Sequence, residues 1–338
     1  MGFRYVLLRV VASAAMAVAA TLVVFLIAHT VPADPVLAQL GDRQSANPET
    51  VARFRARWGL DRPLWQQYAI FLDRLAHGDL GESIASRRPV LDDIRQYLPA
   101  TIELATAAAL LTVAIGVPLG IAAAVRRDGW LDHAARMLCL IGVSAPTFWL
   151  AFLVLAVFYG GLEIAPSPGR LDVGAAAPRP ATGLFLVDSA LAGDWGTFRS
   201  ALGHLVLPAA VLAASTLGLI TRTTRAAMLE TLGQDYVRTA RAKGVGERGV
   251  VRRHALPNAM VPVLTLGGLA YAELLAGTVL TETIFAWPGL GRYTYQSALA
   301  LDFPAIMGVT FLVALIYLAV NFAVDVSYLL VDPRVARR

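Results

Sequence analysis

The sequence predicts an all-α polytopic membrane protein with six transmembrane helices and both termini in the cytoplasm. Three observations carry this. Hydrophobic residues make up 57% of the 338 and charged ones only 16%, with a mean hydropathy of +0.60, well outside the range of soluble domains. Six segments are long and apolar enough to cross a bilayer core, which takes about 20 helical residues. Arginine and lysine are distributed unevenly between the connections. Residues 1–9, 126–136, 222–253 and 332–338 hold 16 basic residues in 59 positions, against 4 in 66 for 161–203 and 283–305. The basic side is the cytoplasmic one, and an even number of spans returns both ends to it. The net charge of +5 is thereby explained by membrane orientation, without nucleic acid.

The first span covers Val6–Ala28, uncharged from Val10 onward. A cleaved signal peptide is the competing reading. The apolar run continues through Leu22–Ile27, beyond the usual length of such a core, which favours a retained anchor over residues 1–31. Residues 32–98 form an external subdomain in which nine acidic residues balance nine basic ones. Val51, Phe54 and Trp58 share one helical face, and Leu64, Tyr68, Phe71 and Leu75 another, on either side of the turn "GLDRP" at 59–63. This subdomain reads either as a packed cap on the membrane domain, or as an external gate or a docking surface for a soluble partner. The membrane core spans 99–331, with spans at Thr101–Val125, Met137–Tyr159, Leu205–Thr221, Met260–Thr281 and Ile306–Leu330. Residues 161–203, with Pro166, Pro168, Pro178 and Pro180, read as an irregular external loop. Residues 222–257 read as a cytoplasmic loop, and 332–338 as a cytoplasmic tail. "GVPLG" at 116–120 pairs GxxxG spacing with Pro118. Pro146 interrupts the third span, and Pro262 with Gly267 and Gly268 loosens the fifth.

Catalytic chemistry finds no anchor. A phosphate cradle requires Gly-Lys-Ser/Thr, and the single lysine, Lys243, lies between Ala242 and Gly244. The five histidines are scattered, and "GVSAP" at 142–146 is not a nucleophile elbow. Cys139, the single cysteine, reads as a packing residue. Neither a metal nor a cofactor is expected on this chain. Carboxylates at membrane depth are costly and therefore informative. Glu103, Glu282 and Asp325 lie near span ends, where water or hydrogen bonds suffice. Glu273 reads as near the middle of span five and facing the protein interior or a water-filled path. A proton-coupled secondary carrier would use such a residue.

Between spans four and five lies "DYVRTARAKGVGERGVVRRHALPNA", residues 235–259. Tyr236–Lys243 is a short helix ended by Gly244 and Gly246, Arg248–Ala255 resumes a helix, and Pro257 opens the next span. One reading is an interfacial helix with Arg238, Arg241 and Lys243 on anionic headgroups. The other, which the small residues Ala240 and Ala242 favour, is a helix docking into a groove of a cytoplasmic protein.

The spacing Arg238-Thr239-Ala240, three residues, Gly244, nine residues, His254, one residue, Leu256-Pro257 resembles the EAA motif of binding-protein-dependent ABC importer permeases. Arg238, Thr239 and His254 depart from its Glu, Ala and Ile. "WGLDRPLWQQYAIFL", "GDLGESI", "LPATIEL", "SAPTFWLA", "ETIFAWPGLGRY" and "DPR" resemble, in order, the dipeptide/oligopeptide/nickel branch of that family. The resemblance covers nearly the whole chain and implies the six-helix type I importer permease fold. It also implies an inner-membrane protein acting beside a second homologous permease subunit and an external solute-binding protein. Two cytoplasmic ATPase subunits would bind ATP and magnesium. The ATPase-coupling residues it implies are Asp235, Tyr236, Val237, Arg238, Thr239, Ala240, Arg241, Ala242, Lys243 and Gly244, with Leu256 and Pro257. Peptide is the expected cargo, with nickel or another small solute the alternative. An interaction scaffold or channel would need none of these partners.

Overall fold

The computed structural model of the protein describes residues 11–12, 14–23, 25–26, 47–49, 51–52, 61–276 and 278–331. Among these the chain is helical throughout, and its only extended pairing is an isolated bridge between Glu82 and Pro89. The helices are α1 (Ala14–Val23), α2 (Leu64–Ala76), α3 (Val90–Val125), α4 (Trp130–Ser144), α5 (Thr147–Val154), α6 (Phe185–Leu191), α7 (Trp195–Leu232), α8 (Asp235–Ala242), α9 (Leu256–Ala276), α10 (Val279–Ile284), α11 (Leu290–Leu299) and α12 (Phe303–Val331). A π-helical stretch Leu155–Gly161 extends α5, and another, Val250–Ala255, leads into α9.

Among the described residues, four helices are long and apolar enough to cross a membrane, or five when the bent pair α4–α5 counts as one span. The chain is thus a multi-pass membrane protein. Parts of the expected first span, among them residues 6–10 and 27–28, the amphipathic positions Phe54 and Trp58, and the tail 332–338 lie outside the described residues. Val51 is helical and half-buried.

Several expected elements change in extent. The third span is not straight: its two halves meet at 99°. The break falls at Ala145, whose extended backbone (φ −82°, ψ 125°) is what a residue preceding proline requires. The fourth, expected to be the shortest, is the longest helix among the described residues, 38 residues. The apolar stretch marks only its bilayer portion. At its polar start the Asp194 carboxylate caps the Thr197 amide (3.0 Å), and at its polar end the Thr231 hydroxyl donates to the Ala227 carbonyl of the preceding turn. The fifth ends at Ala276, five residues early, so Glu273 lies in its last turn and not mid-span. The loop 161–203 is also less irregular than its prolines suggest, since it contains α6 and the start of α7.

The chain divides into two compact units. One comprises 99–291 with 319–331, the other the described residues from 11 to 98 with 292–318. In the first, α7 is the axis. A side-chain carbon at Gly120 would collide with Thr224 and the Thr221 carbonyl, and one at Gly142 with the Ala214 carbonyl. These glycines let α3 and α4 lie directly on α7, the close approach that GxxxG spacing permits. Gly268 likewise admits Val324 of α12 onto α9. Thr112 and Thr216 exchange a 2.8 Å hydrogen bond across the α3–α7 seam.

The second unit is organised by two buried carboxylates. Asp302, fully buried, accepts from the Ser83 hydroxyl (2.5 Å) and the Ala85 amide (3.0 Å). Asp93 accepts from Ser86 and Tyr293, and Tyr293 stacks on Tyr97 at 5.0 Å. Burial, then the Asp93 charge, pushes the Tyr293 phenol far above its ordinary range, so it stays a neutral donor. The motif "GDLGESI" supplies the turn, with Gly78 and Gly81 at positive φ, that brings Ser83 to Asp302.

Candidate functional site

The loop after α7 is a small folded structure. An eight-residue helix is marginal alone, so α8 needs tertiary support. Val237 and Ala240, one turn apart, face inward onto Val250, with Leu232 and Val245 closing the cluster. Burying Val237 completely contributes about 1.5–3 kcal/mol. The helix ends in a Schellman motif: the Val245 amide donates to the Ala240 carbonyl (3.2 Å) and the Gly244 amide to that of Arg241 (2.9 Å). Gly244 takes φ +79°, where a side chain would cost energy.

Two polar ties hold the helix down. Arg241 grips Glu247 with two hydrogen bonds of 3.1 and 2.7 Å, which raise its already high pKa. The Tyr236 hydroxyl donates to the His254 carbonyl (3.3 Å) and accepts from Asn258 (2.7 Å). That carbonyl belongs to the π-helical stretch, where the Leu256 amide reaches back five residues to Val251. Pro257 has no amide to give Arg253, so a regular α-helical turn cannot form there. Leu256 joins a cluster of Ala124, Met228, Val251, Ala255 and Ala259, which links the ends of α3 and α7 to the base of α9.

The structure therefore sorts the sequence-derived positions. Asp235, Tyr236, Arg238, Thr239, Arg241, Ala242, Lys243, Gly244 and Pro257 are exposed, Leu256 is half-buried, and Val237 and Ala240 are buried. Ala240 is small because its own loop packs on it, which corrects the expectation that it approaches another protein. Ala242 keeps an open face. Arg238 pairs with Asp235 at 3.3 Å.

The quoted motifs "LPATIEL" and "ETIFAWPGLGRY" meet in a second constellation. The fully buried Glu282 accepts from the hydroxyls of Thr101 (2.6 Å) and Thr278 (2.8 Å). The Leu290 amide donates to Thr101, and the Trp287 indole to the Ala100 carbonyl. A side chain at Gly289 would strike the Glu282 carboxylate, and one at Gly291 the Val279 backbone. Glu103 pairs with Arg170 at 2.5 Å and accepts from the Leu186 amide. Arg170 also bonds the Gly183 carbonyl and lies 3.5 Å from the Phe185 ring centroid. Burial pushes the Arg170 guanidinium below its usual range while Glu103 pulls it back. Burial also works against ionisation of Asp188, but hydrogen bonds from Thr182 and Gly183 outweigh it and keep the carboxyl acidic. Arg170 is invisible to sequence reasoning because its partner lies 67 residues away. Glu273 is exposed on this chain and has no polar partner among the described residues. Nor do these residues gather three potential metal ligands.

Comparison with known proteins gives a consistent result. The family described as "Binding-protein-dependent transport system inner membrane component" matches residues 116–337, and its N-terminal counterpart matches residues 2–105. The probable D,D-dipeptide transport system permease protein DdpB of Escherichia coli is 48% identical over 315 residues, covering 93% of this chain and 92% of its own. The dipeptide transport system permease protein DppB of the same organism is 42% identical over 320 residues, 94% of each chain. The di/tripeptide transport system permease protein DppB of Pseudomonas aeruginosa is 43% identical over 93% of each. Among solved structures, the inward-facing MetNI methionine ABC transporter aligns with a TM-score of 0.51 at 18% identity, covering 69% of this chain and 93% of that one, a likeness of fold. The described helices, the ordered motifs and these matches converge: the chain belongs to the family of binding-protein-dependent transport system inner membrane components.

Proposed function

We propose that this chain is a permease subunit of an ATP-driven importer in the bacterial inner membrane, and that it passes dipeptides or short oligopeptides delivered by an external solute-binding protein. The observation that carries the reading is identity above 40%, along more than nine tenths of the chain, to proteins named as dipeptide and di/tripeptide permeases. In this reading six spans, with both termini cytoplasmic, pair with a second homologous permease subunit. Two cytoplasmic ATPase subunits hold ATP and magnesium. This chain binds no cofactor and catalyses no reaction.

The loop 222–257 is the coupling element. The exposed side of α8, carrying Asp235, Arg238, Thr239 and Ala242, sits in an ATPase cleft. Displacement of α8 passes through Val237 and Ala240 to Val250, and through Tyr236 to the base of α9. Leu232 and Leu256 extend that path to the ends of α3 and α7. The motif resemblance and the tethered geometry support this role.

The test is uptake into proteoliposomes that contain this chain with the permease, ATPase and binding-protein products of adjacent genes. Labelled dipeptide should accumulate only with ATP and all partners, and nickel should not compete. Uptake by this chain alone under a pH gradient, abolished by Glu273→Gln, would replace the reading with a proton-coupled carrier. The exposure of Glu273 in the last turn of α9 is what keeps that alternative specific.

A further inference from the structure

A cavity of about 730 Å³ opens between α4 and α7 at the end of the core that bears the arginines. Four guanidinium groups line it, those of Arg127, Arg136, Arg222 and Arg225, and they face two carboxylates. Asp132, fully buried, is gripped by Arg225 (2.6 and 2.7 Å) and Arg136 (3.2 and 2.7 Å). Asp128 lies 3.3 Å from Arg127 and 3.4 Å from Arg136. Arg222 is exposed into this space with no polar partner among the described residues. Thr221, 2% exposed, also lines the cavity, and its hydroxyl has no hydrogen-bond partner. The site therefore holds more positive charge than it neutralises.

Part of the wall is apolar, with Ala135, Leu140 and Leu229. Leu140 lines the cavity and is 62% exposed. It continues onto an α4 face where Met137, Leu138 and Ile141 are also uncovered, with Trp130 at the polar end of the same helix. Such a face beside an interfacial tryptophan suits acyl chains. A free anion would use the arginines and leave this wall wet, whereas an amphiphile satisfies both.

From this arrangement we infer that the cavity is a binding site for an anionic glycerophospholipid, with the phosphate on Arg222 and its neighbours and an acyl chain along Leu140 and the α4 face. Asp132 is the positioning residue that splays Arg136 and Arg225 around the opening. The site lies within one compact unit of the chain and does not depend on the identity of the transported solute.

Cys139, the single cysteine of the chain, lines the same cavity and serves as a native reporter. The full-length chain, in the assembly in which it purifies, is placed in nanodiscs of phosphatidylcholine with or without phosphatidylglycerol. The rate of labelling of Cys139 by a bulky maleimide is then read on this chain. Phosphatidylglycerol should slow labelling. Arg222→Gln should weaken that protection about fivefold, the share expected of one basic residue at an anionic lipid surface. Arg252→Gln, outside the cavity, should leave protection unchanged, and equal thermal midpoints for both variants would establish that the fold is intact. Equal protection by phosphatidylcholine, or undiminished protection in Arg222→Gln, would overturn the proposal. So would full protection in phosphatidylcholine discs by millimolar inorganic phosphate, which would make the cavity a site for free anions.

Discussion

Two polar regions of this chain handle their charges in opposite ways. The α8 loop turns its apolar residues inward and presents Asp235, Arg238 and Thr239 to the outside. The Glu282–Thr101 and Glu103–Arg170 constellation does the reverse, with carboxylates enclosed and bonded to hydroxyls, an amide and a guanidinium of this same chain. Both regions contain motifs that stand out in the sequence, yet for different reasons. In the first, the motif shapes a surface that another molecule can meet. In the second, it satisfies an interior that tolerates no substitute. Motif strength alone does not separate a docking element from a structural lock. Burial and hydrogen bonding do.

Substitutions should separate the two regions by size of effect. The largest is expected in the lock: Arg170→Ala leaves Glu103 buried without its counter-ion, which costs about 3–5 kcal/mol. The check is a marked fall in the thermal midpoint of the detergent-purified chain. Next comes Ala240→Asp, which places a charge against Val237 and Val250 and costs about 2–3 kcal/mol. It should release α8, seen as protease cleavage near residues 234–246, and should uncouple ATP hydrolysis from uptake. Gly244→Ala forces a side chain into the left-handed region and costs about 1–2 kcal/mol, measurable as faster amide exchange across 240–245. Tyr236→Phe removes the ties to His254 and Asn258 for about 0.5–1.5 kcal/mol, with a proportionate loss of ATP-driven uptake. The smallest stability effect belongs to Ala242→Asp, within about 0.5 kcal/mol, and it sharpens the comparison most. If α8 is an ATPase-docking surface, uptake should fall although the midpoint does not. Unchanged uptake would reassign that face of the helix.

Much of this was legible in the sequence. Apolar runs mark bilayer-crossing helices because every backbone polar group in lipid must be satisfied within the helix. Gly244 marks the end of α8 because few other residues accept its backbone angles. What was not legible depended on distant partners. Ala240 is small for its own loop's sake, yet a small residue reads the same whether it faces a neighbour within the chain or a different protein. The extent of α7 was underestimated because hydropathy is silent about helix outside the membrane. Glu273 was placed too deep because Leu274 and Leu275 continue the apolar pattern almost to the point where the helix stops. Arg170 could be paired with Glu103 only once the loop between 161 and 203 had a path.

The widened turn at Val250–Ala255 has one more consequence. A helix is a screw, and each residue advances it by about 100°. One extra residue in a turn is a phase slip: everything after Pro257 is rotated by that angle from where an uninterrupted screw would have placed it. The faces of α9 are thus indexed to the loop by a single imino acid. That phase is locked, because Pro257 has no amide with which a regular turn could re-form.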